Sequence, residues 1–356
     1  GRIRNCNVRI SNRCAYRQQP HHQERSDVTM GKLVDGEWVV APERGHDEQG
    51  FDAWIGSTDG DSEPEYPAEP NRYHLYISRA CPWAHRTALT RRLKGLKDVI
   101  SIDVVDPVRR NDGWEFTPTK DNCTPDSVNG FEYLREVYTQ ADPAYTGRVT
   151  VPVLYDTERD TIVNNESADI ARILEDAFDE YATRDIDLYP TQKQEEIDAI
   201  IEQIHEDINV GVYKAGFADT QEEYETAVRH LFDALEQWDS VLGERRFLAG
   251  DELTLADVFL FPTLYRFDAV YHTQFKCNLK RLVDFENLWP YAREIYQLPG
   301  VQATCNMDHV KAHYYRSHED INPTGFVPVG PATDWSASHD RARLGGSTAS
   351  PISTDQ

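Results

Sequence analysis

One cysteine stands in a sequence context that activates it for covalent chemistry. Cys81 lies in Ser78-Arg-Ala-Cys-Pro-Trp-Ala-His-Arg86, directly after the alternating run Tyr73-His-Leu-Tyr-Ile77 and directly before a proline. Proline suits the first turn of a helix, where its missing N–H would have no partner, so the spacing predicts a helix opening at Pro82. A thiol just ahead of that turn faces unpaired N–H groups and the positive end of the helix dipole, which lowers its pKa and favours thiolate. A thiolate attacks sulfur. Ala84 stands where a second cysteine would close an internal disulfide, so the site is monothiol and a mixed disulfide at Cys81 must be resolved by a second small thiol. The other cysteines, Cys6, Cys14, Cys123, Cys277 and Cys305, form no CxxC pair and no Cys/His cluster at metal-ligand spacing. No metal site or disulfide framework is expected, and a reduced compartment, the cytoplasm, is the natural home.

The elements that must position this thiol follow from periodicity. Residues 73–77 read as a strand, 82–94 as a helix and 99–105 as a second strand, giving a βαβ opening. Residues 106–148, with several Pro and Gly, read as a long irregular insertion. Short strands at 150–155 and 161–163 flank a turn, and 166–178 shows helical periodicity. The order βαβ then ββα is the thioredoxin arrangement, expected over residues 71–178. After a linker near 179–190 the pattern turns all-helical over 190–328. There Ile197, Ile200, Ile201, Ile204 and Ile208 keep helical spacing, as do Tyr224, Val228, Leu231, Leu235 and Trp238. A further helix is announced by Thr254-Leu-Ala-Asp257, a capping box. The fold class is an α/β thioredoxin-like N-terminal domain followed by an all-α C-terminal domain.

Composition bounds the partners. With 61 Asp+Glu against 37 Lys+Arg the net charge is −24, which repels nucleic acid and anionic lipid and keeps a chain soluble where salt screens self-repulsion, as in a halophilic protein. No run approaches the roughly 18 uninterrupted apolar residues of a membrane span. Residues 1–29 carry +4, leaving −28 on 30–356, and show no apolar stretch of a secretory signal. They are expected to be a disordered leader or a misassigned extension ahead of Met30. Residues 30–70 are expected to form an extended arm and 329–356 a disordered tail, both on their Gly, Pro, Ser and acid content.

Several separated segments resemble the glutathionyl-hydroquinone reductases, or Xi-class glutathione transferases, over about residues 31–328. They are Cys81-Pro-Trp-Ala-His-Arg86, Asp112-Gly-Trp114, Val151-Pro-Val-Leu154, Asn164-Asn-Glu-Ser167, Tyr213-Lys-Ala-Gly-Phe217, Phe267-Asp-Ala-Val-Tyr271, Phe275-Lys-Cys-Asn278, His313-Tyr-Tyr-Arg-Ser-His318 and Ile321-Asn-Pro323. The resemblance implies the glutathione S-transferase fold with glutathione or a related thiol as co-substrate, and the −28 charge of residues 30–356, read as that of a salt-loving source, motivates γ-glutamylcysteine as that thiol. It places thiol binding on Trp114, Val151, Pro152, Glu166 and Ser167. The physics agrees: a Val151–Pro152 bond, expected cis, presents the Val151 backbone to a peptide-like ligand, and Glu166 and Ser167 at a helix start meet its γ-glutamyl end. Beside Cys81, the resemblance places Tyr213, Tyr271 and Tyr314 at the substrate, where phenols suit a quinol, with His272 and His318 secondary. It implies removal of the thiol from an S-conjugated hydroquinone through a Cys81 mixed disulfide, in a homodimer formed largely by the helical domain. The alternatives are an omega-like thioltransferase or dehydroascorbate reductase, and a non-catalytic binding member of the fold.

Overall fold

A computed structural model describes residues 31–40, 50–56 and 63–346. The expected leader, parts of the arm and residues 347–356 lie outside the described residues. The arm begins with a hairpin, β1 (Lys32–Val34) against β2 (Glu37–Val39), turning at Asp35 and Gly36, both at positive φ.

Four strands form the sheet beneath the thiol, in the order β4 (Ser101–Val104), β3 (Tyr73–Ile77), β5 (Val153–Asp156), β6 (Thr161–Asn164). β4 runs parallel to β3, whereas β5 and β6 are antiparallel. All five residues of β3 are buried although their sequence alternates, because this central strand is covered on both faces. Its polar side chains find partners within the fold: Tyr73 donates to the Pro67 carbonyl at 2.6 Å, Tyr76 to Asp126 at 2.8 Å, and His74 Nδ1 pairs with the Ser101 hydroxyl at 2.6 Å. Helix α1 (Pro82–Leu93) connects β3 to β4 and packs on α3 (Ser167–Asp176).

The stretch expected to be irregular contains a helix, α2 (Leu134–Ala141). Leu134, Val137 and Tyr138 are buried at helical spacing, and the Glu136 carboxylate accepts from the Tyr133 N–H at 2.8 Å, which caps the first turn. The surrounding turns mask this eight-residue helix in the sequence.

The all-α part holds α4 (Gln194–Ile204), α5 (Gly211–Gly216), α6 (Gln221–Glu244), α7 (Leu255–Arg266), α8 (Leu288–Gln297) and α9 (Met307–Arg316). The isoleucine stripe of α4 and Val228, Leu231, Leu235 and Trp238 of α6 all enter one core, and α7 is buried along its whole length as the central helix. Asp257 accepts from the Thr254 N–H at 2.8 Å, completing the expected cap of α7. Five-residue π-turns follow α4 (His205–Asn209) and α7 (Phe267–Tyr271). Leu89, Leu93, Ala168 and Ala171 of α1 and α3 join this core, so the two parts share one apolar interface.

Residues 329–346 correct the expectation of a disordered tail. Trp335 packs on Trp289, Tyr265 and Tyr296 at ring distances of 4.9, 5.1 and 5.5 Å. Arg341 is fully buried and donates to the carbonyl of Leu242 in the last turn of α6 and to those of Arg245 and Arg246 just beyond it. One Trp and one Arg anchor a segment whose average composition reads as unstructured. Among the described residues no helix is long and apolar enough to cross a membrane.

Candidate active site

Cys81 is the N-cap of α1, with extended backbone (φ −74°, ψ 124°) and Pro82 in the first turn. The local sequence dictates this: proline cannot continue a strand ladder but can open a helix. The thiol is buried and donates to the Val151 carbonyl oxygen at 3.7 Å. The Val151–Pro152 peptide is cis.

The environment of the thiol departs from the expectation in one respect. Burial pushes the Cys81 thiol up from its ordinary value, opposed in turn by the Ala84 N–H, the Arg266 charge, the Trp83 N–H and the Arg109 charge. The expected helix N–H groups are present, but desolvation outweighs them. The free site therefore holds mainly thiol, with the groups that stabilise a thiolate already arranged around it.

A cavity opens at Cys81, lined on the sheet side by Pro82, Trp114 and Val151 and on the helical side by Tyr213, Phe217, His313, Tyr314 and His318. Trp114 is placed by Gly113, whose φ of +84° sets the turn that L side chains rarely adopt. The Trp114 ring stacks on His313, centroids 5.3 Å apart and 19° from parallel. The Arg109 guanidinium sits 5.4 Å from the same ring. His313 donates from Nδ1 to the Pro107 carbonyl at 2.7 Å, so an unprotonated Nε2 acts as an acceptor. Burial, then the neighbouring His318 and Arg109, hold His313 well below its usual range; burial and Arg109 bring His318 to about 3.

The three tyrosines meet. Tyr213 Oη lies 2.5 Å from Tyr314 Oη, and Tyr271 Oη lies 2.9 Å from Tyr314 Oη. They come from α5, the π-turn after α7, and α9, and a π-turn precedes α5 as well. Such turns rotate the following side chains off the helical register and recur at functional sites. Gly216 lets α5 approach this cluster, since a Cβ there would stand 2.3 Å from the Phe275 ring. Burial raises all three phenols above their ordinary value, so they remain hydrogen-bond donors at neutral pH.

The structure thus brings Cys81, Trp114, Val151, Tyr213 and Tyr314 to one cavity, with Tyr271 fully buried behind Tyr314. Glu166 and Ser167 lie at the start of α3, outside that lining, as does Pro152. The Glu166 N–H donates to Asn164 Oδ1 at 2.7 Å, and the Ser167 hydroxyl accepts from Arg86 at 3.4 Å. His272 is absent from the lining and His318 is part of it. Arg109, His313 and Arg266 were missed. His313 opens a quoted motif, and Arg266 is the one cation ending the apolar run Leu255-Ala-Asp-Val-Phe-Leu-Phe-Pro-Thr-Leu-Tyr-Arg266, a signal that could have found it.

Known proteins share the sequence and the fold. The glutathione S-transferase N-terminal domain family matches residues 80–177, and the C-terminal domain family matches residues 221–294. The glutathionyl-hydroquinone reductase PcpF of Sphingobium chlorophenolicum is 48% identical over 316 residues, covering 85% of this chain and 97% of that protein. The structure of a Xi-class glutathione transferase from Natrialba magadii is 53% identical, with a TM-score of 0.86 over 90% of this chain and 98% of that one. The glutathione-bound structure of YqjG, a glutathione transferase homologue from Escherichia coli K-12, is 44% identical, with a TM-score of 0.82 over 87% and 99% of the two chains. A monothiol cysteine at a helix start, facing a helical domain across one cavity and matched along nearly its whole described length, places the chain in the glutathione S-transferase superfamily, among the Xi-class glutathionyl-hydroquinone reductases.

Proposed function

We propose that the chain is a glutathionyl-hydroquinone reductase in which Cys81 takes the thiol from an S-conjugated hydroquinone. The Cys81 thiolate attacks the thioether sulfur and forms the S–S bond; the C–S bond breaks and its electron pair goes to the aromatic carbon, which takes up a proton. The products are the free hydroquinone and a Cys81–glutathione mixed disulfide. A second glutathione thiolate attacks the glutathione sulfur of that disulfide, releasing oxidised glutathione and the Cys81 thiolate. Sulfur is oxidised to the disulfide and the conjugated carbon reduced, with the second glutathione as the reductant consumed in each turnover.

The observation that carries the reading is the position of three linked phenols across the cavity from a lone thiol. Tyr271 is fully buried, its hydroxyl 2.9 Å from that of Tyr314, which lies 2.5 Å from that of Tyr213, and we assign the donors outward in that order, Tyr271 to Tyr314 to Tyr213. The Tyr213 proton is left for the developing negative charge on the departing quinol. Trp83, stacked 6.2 Å from the Tyr213 ring and 25° from parallel, gives the aromatic leaving group a flat wall. Trp114 and Val151 hold the thiol-bearing end, with Glu166 and Ser167 at its γ-glutamyl group. These contacts read the γ-glutamyl and cysteinyl parts, so γ-glutamylcysteine serves beside glutathione. The protein works as a cytoplasmic homodimer. Incubation with a glutathionyl-hydroquinone and excess glutathione tests the reading: stoichiometric quinol and oxidised glutathione are expected, and conjugate left intact rejects it.

A further inference from the structure

The C-terminal end of α7 carries a buried cation whose hydrogen bonds reach across to the other domain. Arg266 is fully buried, and among the described residues it makes no salt bridge with a carboxylate. Its Nε donates to the Ala80 carbonyl at 2.8 Å and its Nη2 to the Arg79 carbonyl at 3.1 Å. Its Nη1 donates to Pro262 O at 2.8 Å and to His85 Nδ1 at 3.2 Å. His85 accepts because burial, then the charges of Arg266 and Arg79, hold it neutral. Burying a guanidinium without an anion is costly, and carbonyl acceptors only partly offset the lost water. An anion that forms nearby recovers the rest. The candidate the backbone contacts point to is the sulfur of Cys81, the residue that follows Ala80, whose thiolate the Arg266 charge favours.

We propose that Arg266 is the positioning residue of the nucleophile: it fixes the Arg79–Ala80 turn by two backbone carbonyls and sets a positive charge, free of any described carboxylate, behind the Cys81 sulfur. The next five residues form the π-turn that ends at Tyr271. One helix terminus thus sets both the thiol and the innermost phenol, and the register between the two halves of the reaction comes from α7. Domain docking and thiol activation are coupled, because the charge that activates Cys81 comes from the opposite domain.

The groups facing Cys81 are Arg266 from α7, Arg109 from the loop after β4, and Tyr271 from the π-turn. Those facing Arg266 are His85 of α1, Cys305 of the loop before α9, Tyr265 of α7, Tyr271 of the π-turn, and His313 and Tyr314 of α9, all uncharged at neutral pH on the shifts given by burial. Arg109 is the other cation near the sulfur and serves as the internal comparison.

The test is the pH profile of Cys81 alkylation by iodoacetamide, read on the Cys81 peptide by mass spectrometry, together with kcat and KM for quinol release, in the full chain. Alkylation does not depend on the identity of the quinone, so this test can fail while the proposed reaction stands. R266M is expected to raise the alkylation midpoint by about one pH unit or more and to lower kcat about tenfold, with KM for the thiol little changed. R266K, which keeps the charge and loses the fork, is expected to hold the midpoint near that of the wild type while kcat falls several-fold. If R266M does not fold, R266K decides: wild-type values of both kcat and midpoint overturn the proposal. An unchanged midpoint in folded R266M also overturns it, since a purely structural role would alter stability and leave the thiol's titration in place.

Discussion

At the scale of single residues, the balance at Cys81 sets the behaviour of the site. Burial of the thiol outweighs the helix N–H groups and two guanidinium charges, so the free thiol stands above its ordinary value. Deprotonation makes the nucleophile, so Cys81 alkylation and quinol release should both rise with pH across the neutral range and still be rising at pH 9. A plateau below pH 7 would mean that desolvation does not dominate. Replacing the sulfur is more severe: C81S should release quinol at less than about a tenth of the wild-type rate, because a hydroxyl cannot supply the nucleophile. At the far end of the phenol chain, Y271F removes only the innermost hydroxyl, and kcat should fall about tenfold with KM for the thiol unchanged. An equal rise in KM would instead place Tyr271 in thiol binding. Cys81 was legible in the sequence because strand, thiol and proline are adjacent along the chain. Arg109, His313 and Arg266 were not, because each acts through a contact made over a long separation, such as the 186 residues between Arg266 and Ala80. Local spacing does not show such contacts, and at Arg266 it offers only the single cation that ends an apolar run.

At the scale of elements, the sequence tells most where periodicity runs long. The isoleucine stripe of α4 and the apolar face of α6 are buried as their spacing required. The eight residues of α2 are too short for that signal amid turns, although its capping Glu136 is visible in hindsight. The segment after Val329 misled for the opposite reason: its average polarity hides two anchors. W335A should cost about 2 kcal/mol of stability, since the ring is only partly buried among Trp289, Tyr265 and Tyr296. R341M should lower the thermal midpoint as well, because three carbonyls in and just after the last turn of α6 lose their donor. Denaturation midpoints of both variants check this, and midpoints unchanged from wild type would return the tail to the disordered class.

For the whole molecule, charge and domain docking decide. With −24 overall, carboxylates repel one another across a Debye length of about 30 Å at low salt, and the repulsion nearly vanishes near 1 M, where the length is about 3 Å. Unfolding recorded against salt concentration should show stability rising steeply with salt; a flat curve would contradict the salt-adapted reading. The active cavity itself exists only where the two domains meet, with Cys81 from one and the phenols from the other. The central claim is that this juxtaposition transfers a thiol from an aromatic carbon to Cys81. A single-turnover experiment without free thiol tests it most directly, measuring quinol released from a glutathionyl-hydroquinone and, on the same sample, the mass of the Cys81 peptide. One equivalent of quinol per chain should appear together with one glutathione on Cys81, removable by added thiol, whereas quinol released with Cys81 unmodified would contradict the account.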